Sequence, residues 1–155
     1  MIQDALLLVS GAISSANVIT GQTVTGTGNV LSTNTIDLSQ ARDIGEGNDC
    51  FLRTQVGTAQ AGCTSVEVQA ITADDAALTS NVTVIGTTGA IPLASLVAGA
   101  RFVVDINPRI ASKGQRYLGA RYVIVGTSSA GTFVTDYGLE IQDGAKSYPS
   151  GFAII

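Results

Sequence analysis

From Asn34 to Asp143 the chain alternates apolar and polar residues in short runs, separated by Gly, Thr, Ser, Asn and Asp. A period of two is that of a strand with one buried face. Residues 35–38 read as a short strand and 39–47 as a loop. Over 50–56, Cys50, Leu52, Thr54 and Val56 share one face, while Phe51, Arg53 and Gln55 share the other. Residues 57–62, bounded by two glycines, read as a turn. Over 65–72, Val66, Val68 and Ala70 point inward and Glu67 and Gln69 outward. Residues 72–78 read as a turn closed by aspartate side chains.

Residues 82–85 form the next short strand. Residues 91–100 read as a strand end and at most one helical turn. Strand 101–106 carries Phe102, Val104 and Ile106 on one face, and Pro108 stops it. Residues 111–115 read as a turn. The longest clear strand is 117–125, with Leu118, Ala120, Tyr122 and Ile124 together. Residues 126–131 read as a hairpin connection, and 132–142 as the last strand, with Phe133, Thr135, Tyr137, Leu139 and Ile141 on one face.

Eight or nine such strands on one chain predict an all-β fold. Two four-stranded antiparallel sheets packed face to face make a jelly-roll β-sandwich. An immunoglobulin-like strand order is the other possibility. The sandwich occupies 34–143. Residues 1–33 differ: 5–9 are apolar and read as an extended arm or a first strand, and a Gly/Thr-rich loop or weak hairpin follows. An arm of that kind can add to a neighbour's sheet edge. Residues 144–155 form a C-terminal arm ending on Phe152, Ile154 and Ile155. Apolar ends of this kind dock, since each buried side chain contributes about 1.5–3 kcal/mol.

A length of 155 residues suits one domain with a sizeable core. The hydrophobic fraction is 45% and the charged fraction 13%, which points to surface that a partner covers. The net charge of −4 comes without a run of Lys or Arg. Nucleic acid is therefore not an expected partner, because phosphate binding needs a basic patch. Six of the eight basic residues are Arg, the residue suited to bidentate carboxylate contacts. The apolar run at 5–9 has no basic leader and is far shorter than a membrane span. The expected setting is the cytoplasm where the chain is made, with no membrane partner.

Chemistry is scarce. There is no His, so the commonest general base is missing and no Ser-His-Asp or Cys-His arrangement can be built. Cys50 and Cys63 read as free thiols packed like small apolar groups, and two cysteines without His make no typical zinc site. Asp74-Asp75 and the Asp43, Glu46, Asp49 group read as turn residues. Gly26-Thr27-Gly28 and Gly45-Glu46-Gly47 lack the Lys-Ser/Thr pair of a phosphate loop. No cofactor, metal or catalytic residue is expected.

Four segments, in order, carry a family resemblance: Asn34-Thr-Ile-Asp-Leu-Ser-Gln-Ala-Arg-Asp-Ile-Gly45, Ser65-Val-Glu-Val-Gln69 leading to Ala73-Asp-Asp75, Ala90-Ile-Pro-Leu-Ala-Ser-Leu-Val-Ala-Gly-Ala-Arg101, and Gln115-Arg-Tyr-Leu-Gly-Ala-Arg-Tyr122. Over about two thirds of its length the chain resembles the capsid cement (decoration) proteins of short-tailed phages, of the Bordetella-phage type. The resemblance implies a jelly roll without enzymatic activity. It also implies a homodimer or homotrimer on the outer surface of an icosahedral capsid, clamping the major capsid protein against DNA pressure. Candidate contact residues are Leu6, Leu7 and Leu8 in the N-terminal segment, Arg42, Arg101, Arg116 and Arg121 for acidic capsid surface, and Phe152, Ile154 and Ile155 at the C-terminus. The alternatives are a carbohydrate- or receptor-binding sandwich of a phage tail or fibre, and a jelly-roll hydrolase using acidic residues and a metal.

Overall fold

A strand stays in a sheet only if its alternation matches two environments, and here it does. In the computed structural model, which describes residues 5–40, 50–106 and 115–138, the inward set Leu52, Thr54, Val56, Val66, Val68, Ala70, Leu118, Ala120, Tyr122, Ile124, Phe133, Thr135 and Tyr137 is buried. The described residues form ten strands: β1 (Leu8–Ser10), β2 (Ala12–Ile13), β3 (Ile19–Thr20), β4 (Gln22–Thr23), β5 (Gly26–Leu31), β6 (Ile36–Asp37), β7 (Phe51–Ala73), β8 (Thr83–Pro92), β9 (Arg101–Asp105) and β10 (Tyr117–Gly138). One 3₁₀ turn, Leu93–Ser95, follows β8, the strand end and single turn expected at 91–100.

Two corrections concern the centre of the sheet. The expected turn at 57–62 and the expected hairpin connection at 126–131 both lie inside continuous strands. β7 and β10 run antiparallel along each other from Tyr117↔Ala73 to Gly138↔Phe51. The glycines do not reverse the chain there. They permit bulges, with register shifts between Val125 and Phe133, and bulges bend a strand sharply. Gly131 is one such position: its φ is +146°, and an added Cβ would lie 2.2 Å from Gln60 Cδ.

The bends make two layers from one sheet. In the first layer the order is β5 and β6, then residues 117–125 of β10, then 65–73 of β7, then β8. In the second it is β1 and β4, then 132–138 of β10, then 51–58 of β7, then β9. Each layer is thus four strands wide. This is the all-β jelly-roll-type sandwich expected from the alternation, with strands that pass from one layer to the other without leaving the sheet. Of the two readings open for residues 5–9, the structure takes the first strand, since Leu8 and Ser10 pair with β10 of the same chain. The C-terminal arm lies outside the described residues.

Among the described residues, the core between the layers is largely apolar and is crossed by buried polar ties. Tyr122, from the first layer, donates to Ser10 Oγ at 2.7 Å and bonds Thr135 Oγ1 at 2.6 Å in the second. Thr135 in turn bonds Thr54 at 2.9 Å. Burial pushes the Tyr122 phenol up to about 12, so it stays a neutral donor. At the bend, Ser128 donates to Gln60 at 2.6 Å and Gln60 to the Val24 carbonyl at 3.2 Å. Every group in these ties is satisfied, as burial requires.

A satellite cluster lies on the outside of the first layer. The turn after β7 folds back so that Leu78 covers Ile71 and Ala73. Asp75 holds that turn by accepting from the backbone of Thr79 and Ser80 and from the Thr79 hydroxyl. These bonds, the Ser80 amide foremost, lower its pKa. The expected turn at 72–78 is present, and its aspartate acts structurally.

Candidate interaction surface

Among the described residues, the outward positions of the sandwich carry charged side chains that bond within the domain: Arg53 with Asp136 and Arg116 with Asp37 as ion pairs, Arg121 and Glu67 with uncharged neighbours. Arg116 donates from Nε and Nη2 to the Asp37 carboxylate, both at 2.7 Å, and stacks over the Tyr117 ring with 5.0 Å to its centroid. The guanidinium holds Asp37 at about 2. Arg121 donates to Gln69 at 2.7 Å. Gln69 and Thr87 both donate to Glu67, at 2.6 and 2.7 Å, and lower its pKa, Thr87 more than Gln69. Arg101 begins β9 and is exposed. A capsid carboxylate would therefore have to compete with Asp37 for Arg116 and with Gln69 for Arg121. Arg42 lies outside the described residues, as do Phe152, Ile154 and Ile155.

The three N-terminal leucines separate. Leu6 is 84% exposed, Leu7 is half-buried, and Leu8 is buried in its own domain, opposite Asp136. Burial in this domain leaves Leu8 no surface for a partner.

Sequence reasoning missed one charged pair altogether. Arg53 and Asp136 face each other across β7 and β10. Arg53 Nε donates to Asp136 Oδ1 at 3.1 Å and Nη2 to Oδ2, and their side chains are only 12% and 5% exposed. Each falls at an outward strand position, so only the register could have shown them together.

Cys50 and Cys63 are unlinked, as expected, and burial pushes the Cys50 thiol up, away from nucleophilic use. Asp74 borders a small polar hollow of about 230 Å³ with Asn81, Thr83 and Gln115. It accepts from Asn81 at 2.9 Å, and Gln115 is tied to the Asn81 carbonyl and to Thr72. Among the described residues no three His, Cys, Asp or Glu gather as ion ligands. The Asp43, Glu46, Asp49 group lies outside those residues.

The described surface also carries large apolar side chains. Besides Leu6, the large exposed side chains are Val18, Ile19, Val97, Val103 and Val125. Val18 and Ile19 stand on the small two-stranded hairpin β2–β3, which is separate from the main sheet. The signal was present: two successive apolar residues in a Gly/Thr-rich stretch cannot both face one core. Next to the hairpin opens a hollow of about 520 Å³ lined by Ala5, Gly11, Ile13, Thr20, Gln22 and Asn34 among others.

The match to known families falls on this fold. The Bbp16 family model aligns with residues 18–136, more than half of the chain. The chain belongs to the Bbp16 family. The Bbp16 region opens at the tip of the β2–β3 hairpin and runs into the second-layer half of β10, so it takes in both bends and nearly all of both layers. No curated protein matches the chain.

Proposed function

We propose that this Bbp16-family protein is a structural virion protein, a capsid cement that binds the outside of a phage icosahedral head and clamps neighbouring major capsid proteins. The observation that carries the reading is the family match over 18–136, which contains almost all of the region whose segments resemble Bordetella-phage cement proteins. The family name accords with that phage setting.

The architecture suits the task. A clamp must transmit force without deforming, and here two strands span both layers and are tied across the core by Tyr122, Thr135, Thr54 and Ser10. Among the described residues, Arg53, Arg116 and Arg121 are engaged within the domain, and the exposed apolar side chains gain by being covered. Repetition over an icosahedral lattice multiplies modest contacts through effective concentration.

The test is to prepare heads with and without the protein and to follow DNA release on heating. Heads carrying it should release DNA at a higher temperature, and purified protein added back should restore the difference. Equal release temperatures with the protein bound would overturn the clamp.

A further inference from the structure

We propose that residues 144–155 form a strap across the outer face of the second layer, seating Phe152, Ile154 and Ile155 over a row of side chains that the sheet itself leaves uncovered. These three residues then serve the fold of their own chain rather than a partner.

Register sets Leu8 opposite Asp136, Asp136 opposite Arg53, and Arg53 opposite Val103, so one row crosses β1, β10, β7 and β9. The adjacent Val9, Tyr137, Leu52 and Val104 enter the core, so the row faces outward. Yet Leu8 is 5% exposed and Asp136 4%, and the Arg53 side chain 12%. Leu8 belongs to neither core cluster, and nor does Phe51, half-buried on the same face two residues before Arg53. The described strands in close contact with β7 and β10 are their ladder neighbours, which lie beside the row and not over it. The cover therefore comes from outside the described residues.

Chemistry selects the segment. Arg53 and Asp136 neutralise each other, and Leu8, Val103 and Phe51 around them are apolar. Such a face is closed at least cost by uncharged apolar side chains, because a further charge would lose its water without gaining a partner. Residues 41–49 bring Asp43, Glu46 and Asp49, and residues 107–114 bring Arg109 and Lys113. The row spans three strand spacings, about 14 Å, and residues 1–4 reach only about 13 Å when fully extended. Residues 147–155 contain no charge and carry Tyr148, Phe152, Ile154 and Ile155.

Position favours the same segment. β10 ends at Gly138, opposite Phe51 and just past Asp136. Residues 139–155 therefore leave the sheet at one end of this face, with a reach of up to about 56 Å, enough to turn back over the row. The tether makes docking on the same chain an intramolecular event at high effective concentration, which favours it over the same segment of another molecule.

NMR of the full chain tests the strap. Nuclear Overhauser contacts are expected from the Phe152 ring to the Leu8 and Val103 methyl groups. Phe152→Ser/Ile154→Ser/Ile155→Ser should keep the wild-type circular dichroism and speed solvent exchange of the Arg53 Nε proton at least tenfold. The Arg121 Nε proton, on the outside of the first layer, is the control and should exchange as before. Contacts from Leu8 or Val103 to Ile44 or Ile110 in place of Phe152 would overturn the strap. So would contacts seen only between differently labelled copies, or unchanged Arg53 exchange in the folded triple variant. Where that variant fails to fold, the wild-type contacts decide alone. No capsid enters these readouts, so their failure leaves the function proposed above standing.

Discussion

The rings of Tyr122 and Phe133 stack with centroids 5.1 Å apart and planes 11° apart, although both residues belong to β10. Eleven residues of straight strand would separate them by about 36 Å. The stack is therefore the closure of a folded strand upon itself. It joins the first layer to the second within a single element, and Tyr137 repeats the relation by donating to the Gly119 carbonyl at 2.8 Å.

Removing one ring should open the sandwich. Phe133→Ala is expected to cost about 3–5 kcal/mol, and Tyr122→Phe, which keeps the stack but loses the bonds to Ser10 and Thr135, about 1–2 kcal/mol. Urea unfolding measures both. Equal losses would mean that the hydroxyl, not the stack, closes the layers.

The Arg53–Asp136 pair should show strong coupling. Arg53→Met leaves a buried carboxylate without its cation, at a cost of about 3–5 kcal/mol. Arg53→Met with Asp136→Leu should recover most of that. A double-mutant cycle in denaturant with no coupling would show the pair to be incidental.

Acid should loosen the fold through its depressed carboxylates. Asp37 lies at about 2 against an ordinary 3.8, and Glu67 and Asp75 shift the same way. A lowered folded-state pKa contributes stability that is complete above the unfolded value and is lost as pH falls through the folded one. For Asp37 that window runs from 3.8 down to about 2. Carboxyl-carbon NMR titration should find it there, and Arg116→Gln should return it toward 3.8. A wild-type midpoint near 3.8 would show that the ion pair does not persist in solution.

The bend glycine Gly131 should tolerate substitution less well than Gly28. Gly28 and Gly131 both have positive φ, but an added Cβ meets nothing at Gly28 and collides with Gln60 at Gly131. Gly28→Ala is expected to cost about 1 kcal/mol from backbone strain. Gly131→Ala should cost clearly more, with a lower melting temperature. Equal costs would remove Gly131 from the account of the bend.

Part of this structure was legible in the chain. The faces of the strands were, because alternation is decided by adjacent residues: Leu52, Thr54 and Val56 are buried as their spacing indicates. The bends were not. A run bounded by Gly57 and Gly62 reads equally well as a reversal or as a bulged strand, and the difference lies in a partner strand far along the chain, where Gly126 sits opposite Cys63. A separation of 83 residues hid Arg53–Asp136 in the same way. On the surface, Arg116 and Arg121 were recognisable as outward, but their engagement with Asp37 and Gln69 depends on which strands adjoin. Val18 and Ile19 were passed over because their stretch resembles a loop.

Electron cryomicroscopy of the intact particle tests capsid attachment most directly. The account predicts density for this two-layered sandwich on the outer face of the head, bridging adjacent major capsid subunits. A shell bare of that density, or the sandwich found only on the tail, would contradict it.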